Sequence, residues 1–265
     1  MTNFLSEKEK KISNEFEKKG YIVREVSNFD SLEKIRNIFV KSIKKNIKVS
    51  SNKNDDILNF IHKKIKSNKL NNFRLKIINE INENKEIRKL YYDVARTYLD
   101  TLIGNELAMQ LRINLSIQLP NDKSSLLPLH SDVWSGDSPY EMVVWLPLVD
   151  CYKTKAMYIL PPKKYKKLKK AFLDKKSTSS QKIFNKLKKN LNWIDVKYGQ
   201  VLLFNQCLPH GNVVNKEKET RWSLNCRFKG VFTPYNDKKV GEFFEPISLR
   251  KISQLAIKYN LPKIK

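Results

Sequence analysis

Residue types able to hold a metal ion are sparse in this sequence. Histidine occurs three times, at positions 62, 130 and 210. His130 stands in LPLHSDVW, two residues before Asp132. On an extended strand, residues i and i+2 point to the same side, so this imidazole and this carboxylate can reach one metal together. An HxD pair alone is a weak signal and needs a third ligand from another strand. His210 is the candidate, in LPHGN after the apolar run YGQVLLF. Two histidines and one carboxylate form the facial triad of non-haem iron(II), which leaves positions open for a co-substrate and dioxygen. Zinc can use the same ligands, so the residue types alone leave the metal open. His62, in IHKKIKS, has no acidic or histidine partner at ligand spacing and reads as a surface or interfacial residue.

A second set of polar residues bears on what else the site binds. Arg221, Ser223, Asn225 and Arg227 alternate with Trp222, Leu224, Cys226 and Phe228. One face of that strand is apolar and packs. The other is polar, and a buried polar face needs a partner. An anionic co-substrate would supply one: Arg221 can form a forked pair with a carboxylate, and Ser223 can add a hydroxyl bond. Arg112, Asn114, Ser116 and Gln118 make a similar polar face on the run 111–119 that would line the same cavity, with Asn114 and Gln118 as candidates to bind the co-substrate. The alternative is that both are solvent-exposed faces of an open sheet. Trp134, Ser135, Asp137, Tyr140 and Glu141 follow the first ligand segment and could contact substrate, as could Arg227. An aromatic such as Trp134 can stack on a sugar face, and it can equally be ordinary packing. Lys155, in KTKAM, is a candidate for an anion or for no role at all.

The elements that must position these residues fall into two textures. The first hundred residues read as helical. Ser6 can cap a helix to about Lys19, which Gly20 can end. A short strand, YIVREV at 21–26, follows. A helix opens at Asp30 or Ser31, with Leu32, Ile35, Ile38 and Phe39 on one face. More helix is predicted at 57–65, 74–83 and 86–102. From 105 to 235 the chain reads as strands and turns, with one long period-2 strand at 111–119 and others at 140–148, 157–160, 201–204 and 221–228. The segment 161–192 interrupts them with a lysine-dense, amphipathic helical stretch, either a solvated face or a basic lid over an anionic substrate. A last helix at 247–259 packs on the outside. The predicted fold class is α+β: an antiparallel jelly-roll core at 105–235 carrying the insert, a helical N-terminal part at 1–104 and a C-terminal extension at 236–265, all in one domain.

HSD at 130–132, the YGQVLLF strand, HGN at 210–212 and RWS at 221–223 together resemble the phytanoyl-CoA dioxygenase-like iron(II)/2-oxoglutarate oxygenases, over roughly 111–230. The resemblance implies a double-stranded β-helix that binds Fe(II) through His130, Asp132 and His210. It further implies that Arg221 and Ser223 grip the distal carboxylate of 2-oxoglutarate, and that O2 is consumed as 2-oxoglutarate becomes succinate. Related halogenases lack the carboxylate ligand, so Asp132 favours hydroxylation, desaturation or epimerisation. The stretch HSDVWSGDSPYEMVVWLPLVDCYKTKAMYILP at 130–161 is similar, more narrowly, to the sporadic carbohydrate cluster oxygenases, which are related to streptomycin-biosynthesis proteins. That implies a small-molecule substrate in surface-carbohydrate biosynthesis, such as a sugar or activated sugar.

Composition bounds the alternatives. The 265 residues carry 52 Lys plus Arg against 27 Asp plus Glu, a formal net charge of +25. Such a field attracts anions of every kind. Lysine, asparagine and isoleucine are all abundant, which AT-rich codons also produce. A nucleic-acid-binding or nucleic-acid-modifying protein is therefore one alternative, but the lysines lack interleaved arginines and aromatic stacking platforms. A non-catalytic jelly-roll binding protein is the other, and it predicts that His210→Ala changes nothing. The three cysteines, Cys151, Cys207 and Cys226, form no CxxC pair and fit a reducing cytoplasm. No leader or membrane-spanning stretch is expected.

Overall fold

The computed structural model describes residues 4–49, 51–173 and 180–260. Its first hundred residues are helical apart from one strand. Helix α1 (Glu7–Lys19) starts at a capping box in which Ser6 and Glu9 satisfy each other's backbone N–H. It ends at Gly20, whose φ of 80° is left-handed and lets the chain turn at once into strand β1 (Tyr21–Glu25). Helix α2 (Phe29–Asn46) buries Leu32, Ile35, Phe39 and Ile43, one residue per turn, as its spacing requires. Then come α3 (Asn54–Asn59), α4 (Ser67–Asn82), α5 (Ile87–Asp93) and α6 (Arg96–Leu102).

The single helix expected at 86–102 is two. The break falls at Val94 and Ala95, where the Val94 carbonyl accepts the Ser27 N–H at 2.8 Å. Likewise the stretch 57–65 divides between α3 and a separate 3₁₀ turn at Ile61–Lys63.

The remainder is built on two antiparallel sheets. In chain order the elements are β2 (Leu107–Gln110), β3 (Asn114–Gln118), β4 (Met142–Pro147), β5 (Met157–Ile159), α7 (Pro162–Leu173), α8 (Ser180–Leu187), β6 (Asn192–Ile194), β7 (Gln200–Asn205), β8 (His210–Gly211), β9 (Arg221–Gly230), β10 (Phe244–Ser248) and α9 (Lys251–Ile257). The larger sheet runs β1-β7-β4-β9-β2-β10, with β3 also on β9; the smaller runs β6-β5-β8. Every residue of β4 is buried, as are the side chains of Trp222, Leu224, Cys226 and Phe228 on β9. The Tyr91 hydroxyl on α5 donates to the Val144 carbonyl at 2.9 Å, and the Trp222 indole donates to the Leu58 carbonyl at 2.9 Å, so the helical layer is bonded to the sheet as well as packed on it.

The run 111–119 is not one strand. β2 pairs with the end of β9 and β3 with its beginning, and residues 111–113 leave the ladder between them. The Asn82 side chain on α4 takes up what the ladder gives away: its oxygen accepts the Ile113 N–H at 2.8 Å, and its amide donates to the Ile113 carbonyl at 3.0 Å. The C-terminal helix is shorter than 247–259 because β10 occupies its first residues, paired to β2. None of the residues of α9 is buried, so it does not pack as expected. Two helices do occupy parts of 161–192, and positions 174–179 of that stretch lie outside the described residues. No helix among the described residues is long and apolar enough to cross a membrane.

Candidate metal centre

Backbone pairing brings the two histidine segments together. His210, on β8 beside Ile159 of β5, exchanges hydrogen bonds with His130: N–H to carbonyl at 3.0 Å one way and 2.8 Å the other. Their ring centroids are 4.3 Å apart. Asp132 was expected on the same extended strand as His130. Instead it opens a 3₁₀ turn, Asp132–Ser135, closed by Gly136 in the left-handed region. The chain can leave the ladder there because the Gln206 carbonyl accepts both the Asp132 N–H, at 3.2 Å, and the Ser131 hydroxyl, at 3.1 Å. The carboxylate still reaches both rings: Oδ1 lies 3.3 Å from His130 Nε2 and 3.7 Å from His210 Nε2. One ligand atom from each of the three residues falls within 4.8 Å of the others, the one such group among the described residues.

Both rings are fixed by backbone carbonyls. His130 Nδ1 is 2.8 Å from the Pro128 carbonyl and His210 Nδ1 is 2.9 Å from the Leu208 carbonyl. A carbonyl only accepts, so Nδ1 carries the proton in both and each Nε2 lone pair faces Asp132. Burial, then the neighbouring His130, pushes the His210 imidazole down to about 4, which keeps it neutral. At Asp132 burial opposes ionisation, but the neighbouring His130 and His210 and the Arg227 guanidinium outweigh it and hold the carboxyl well below the usual range. Arg227 Nη2 donates to the far oxygen, Oδ2, at 2.8 Å. Its Nε is 2.9 Å from Gln206 Oε1 and 3.1 Å from Asp137, which in turn pairs with Lys238 at 2.6 Å. Asp132 therefore has one oxygen held by an arginine and the other turned toward the histidines.

The group lies at the inner end of a cavity of about 940 Å³ between the two sheets, walled by Val143 and Trp145 of β4, Asn225 of β9, Phe204 and Met157. Arg221 reaches into it and is only 4% exposed. Its guanidinium is 3.4 Å from the Ser223 hydroxyl and 3.5 Å from Gln118 Oε1. Gln118 is anchored in turn by its amide on the Val213 carbonyl at 2.5 Å. No carboxylate lies within ion-pair distance of Arg221 among the described residues, and burial pulls its pKa below the ordinary guanidinium value. Ser223 and Gln118 sit behind the arginine rather than on the cavity wall. Asn114 is on the wall, bonded to Asn225 at 2.9 Å.

The residues expected to meet substrate fare differently. Arg227 lines the cavity, although its donors are engaged with Asp132, Asp137 and Gln206. Trp134 and Tyr140 are half exposed and outside the lining. Glu141 faces inward from beneath it: its carboxylate accepts from the Ser138 N–H and the Gln206 amide, both at 2.9 Å, and burial raises its pKa. Lys155 is a correction. It is wholly buried, 2.9 Å from Glu219 and stacked over the Tyr152 ring, so its charge is taken up by an ion pair away from the cavity lining. His62 bonds Thr220 at 3.0 Å, an interfacial place away from the group. Gln206, which joins Arg227 to Glu141, carried no sequence signal. Asp137, expected by position to meet substrate, pairs with Arg227 and Lys238. Asn212 could have been found in HGN; it takes the Leu127 N–H at 2.8 Å and holds the 124–127 segment against β8.

No protein-family model matches the chain, and no curated protein matches it. Solved structures do. A non-haem monooxygenase, ThoJ, in its nickel complex is 12% identical over 90% of this chain and 84% of its own, with a TM-score of 0.58. HygX from Streptomyces hygroscopicus, with nickel and 2-oxoglutarate bound, is 13% identical over 87% and 89%, at 0.55. The non-haem α-ketoglutarate-dependent carbocyclase SnoK, from nogalamycin biosynthesis, is 13% identical over 93% and 98%, at 0.53. The chain shares the fold of these proteins.

Proposed function

We propose that this chain is an iron(II)- and 2-oxoglutarate-dependent oxygenase acting on a small molecule. The observation that carries the reading is Arg221: a buried guanidinium without a carboxylate, in the same cavity as a compact His-Asp-His group. A buried, uncompensated cation is costly, and a diacid co-substrate removes that cost. The donor set fits iron(II), since two imidazole nitrogens and one carboxylate oxygen converge beside the cavity. The shared fold with 2-oxoglutarate-dependent proteins supports the same reading.

His130, Asp132 and His210 would hold the metal. The bound iron and 2-oxoglutarate supply oxidation of a substrate C–H bond by dioxygen, with release of succinate and carbon dioxide. Arg221 orients 2-oxoglutarate by a forked bond to its distal carboxylate, and Ser223 and Gln118 keep that fork aimed. The Pro128 and Leu208 carbonyls hold both imidazoles in one tautomer, and Arg227 fixes which oxygen Asp132 presents. Val143, Trp145, Met157 and Phe204 keep bulk water from the reacting end. The resemblance of 130–161 to oxygenases of carbohydrate gene clusters supports a sugar or activated sugar as substrate.

Anaerobic titration with iron(II) and 2-oxoglutarate tests this reading. A visible metal-to-ligand charge-transfer band is expected in the wild type, absent from His210→Ala and weakened in Arg221→Ala. A folded, metal-supplied protein that shows no band refutes it.

A further inference from the structure

The outer half of the cavity has its own chemistry. The chain contains 43 lysines and 9 arginines, yet the cavity wall holds four arginines and no lysine. Four of the nine arginines of this lysine-rich chain thus face this one space. The two cations differ in what they bind: guanidinium offers a planar fork that matches an oxyanion, whereas ammonium is a compact, strongly hydrated point charge. Arg221 and Arg227 belong to the inner end. The other two, Arg74 and Arg112, come from elsewhere, one on α4 and one in the link between β2 and β3.

These two share an arrangement. Arg74 Nη2 donates to the Asn71 side-chain oxygen at 2.8 Å, and Arg112 Nη2 to that of Asn79 at 2.6 Å. An amide oxygen orients a guanidinium without neutralising it. Neither arginine has a carboxylate within ion-pair distance among the described residues, although Arg24, Arg36, Arg88, Arg96 and Arg227 all do. Two carboxylates stand on the wall: Asp132, engaged at the inner end, and Glu242, exposed at the rim. The outer half therefore keeps an excess of positive charge. Its carriers are fixed to the scaffold, because Asn82 ties α4 to Ile113, the residue after Arg112. Leu75 and Leu127, both half exposed, and Phe243 put apolar surface beside the charges. At about 940 Å³ the cavity is near the top of the range for ligand sites, more than a small diacid fills.

We propose that the substrate carries an oxyanionic group, phosphoryl or carboxylate, which binds Arg74 and Arg112 at the α4 end of the cavity while its carbon skeleton extends to the His130–Asp132–His210 end. This deepens, and rests on, the oxygenase reading. It assigns recognition of the substrate's charge to the helical layer and oxidation to the sheets.

The test uses the full chain loaded with nickel(II), which does not turn over, and 2-oxoglutarate. Phenyl phosphate, benzoate and uncharged phenol serve as probes, with affinities measured by calorimetry at low ionic strength. At least one anion is expected to bind tenfold or more tighter than phenol, and which one binds tells phosphoryl from carboxylate. In an Arg74→Gln/Arg112→Gln variant that advantage is expected to fall at least tenfold, with 2-oxoglutarate affinity within twofold of wild type. Arg74→Lys/Arg112→Lys keeps the charge and is expected to lie between, which guards against a folding defect in the glutamine variant. Lys163→Gln/Lys167→Gln, outside the cavity, is expected to change nothing. Anion binding no tighter than that of phenol, equal binding in the glutamine variant, or an equal loss in the lysine-site variant would each overturn the proposal. The 2-oxoglutarate affinity of the wild type is the separate readout of the reading beneath it.

Discussion

The two oxygens of Asp132 have unequal surroundings, and that inequality sets what the residue can do. Oδ2 is held by Arg227 at 2.8 Å, and Oδ1 faces two imidazole nitrogens. A carboxylate held this way presents one oxygen and does not swing to chelate with both. Arg227→Met is therefore expected to lower iron(II) affinity ten- to hundredfold, the usual range for loss of a ligand's hydrogen-bonding partner. Anaerobic metal titration would measure it, and Arg227→Lys should recover part of the loss. Arg221→Lys should separate from it cleanly. It removes the fork but keeps a charge, so 2-oxoglutarate affinity should fall roughly ten- to hundredfold, the worth of one charge-assisted hydrogen bond, while iron(II) affinity stays. The convergence of His130, Asp132 and His210 and the place of Arg221 in their cavity were legible in the sequence because these residues sit in short strings, HSD, HGN and RWS. Gln206 was not, since neither spacing nor residue type marks it, and Asp137 was marked only by its place after HSD, not as a partner of Arg227.

Among the elements, periodicity revealed which segments bury a face and missed where backbone groups are claimed from outside. The helices and strands that were read whole but form in pieces all break where another segment takes a backbone group: Ser27 at Val94, Asn82 at Ile113, Gln206 at Asp132. β8, only two residues long, has no periodicity to read at all. The Asn82 bridge has a testable weight. Asn82→Leu leaves the N–H and carbonyl of buried Ile113 unpaired and should cost about 2 to 6 kcal/mol in urea unfolding, at about 1–3 kcal/mol per orphaned group. The link between α1 and β1 gives a pH-dependent counterpart. Hydrogen bonds from Arg24 and Lys19 outweigh burial and lower the Glu15 carboxyl to about 2. A depressed acid contributes fully above its unfolded value of 4.5 and loses that contribution as pH falls toward 2. The pair is about a quarter exposed, so solvent screening limits it to about 1 kcal/mol. Glu15→Gln should flatten stability between pH 4.5 and 2 by that amount, and an unchanged slope would place the acid sensitivity elsewhere.

At the scale of the whole molecule, the +25 charge and the cavity are separate matters. Arginine lines the cavity. Lysine dominates the exterior, and none of the described residues of 161–192, the lysine-dense stretch, lines the cavity. That stretch therefore has no described contact with the site as a basic lid. An exterior field of this size still binds polyanions, through counterion release and without a shaped surface. Two consequences distinguish such binding from recognition. Retention of single-stranded and duplex DNA should be similar at 50 mM salt and weaken by about 10³ or more by 200 mM, the behaviour of six or more phosphate contacts. Added DNA should also leave 2-oxoglutarate affinity unchanged, because the polymer neutralises lysines that do not touch Arg221. Salt-resistant binding to one form of nucleic acid, or competition with 2-oxoglutarate, would mean that the exterior charge reaches the site after all. In that case the nucleic acid itself would become a candidate for what the cavity oxidises.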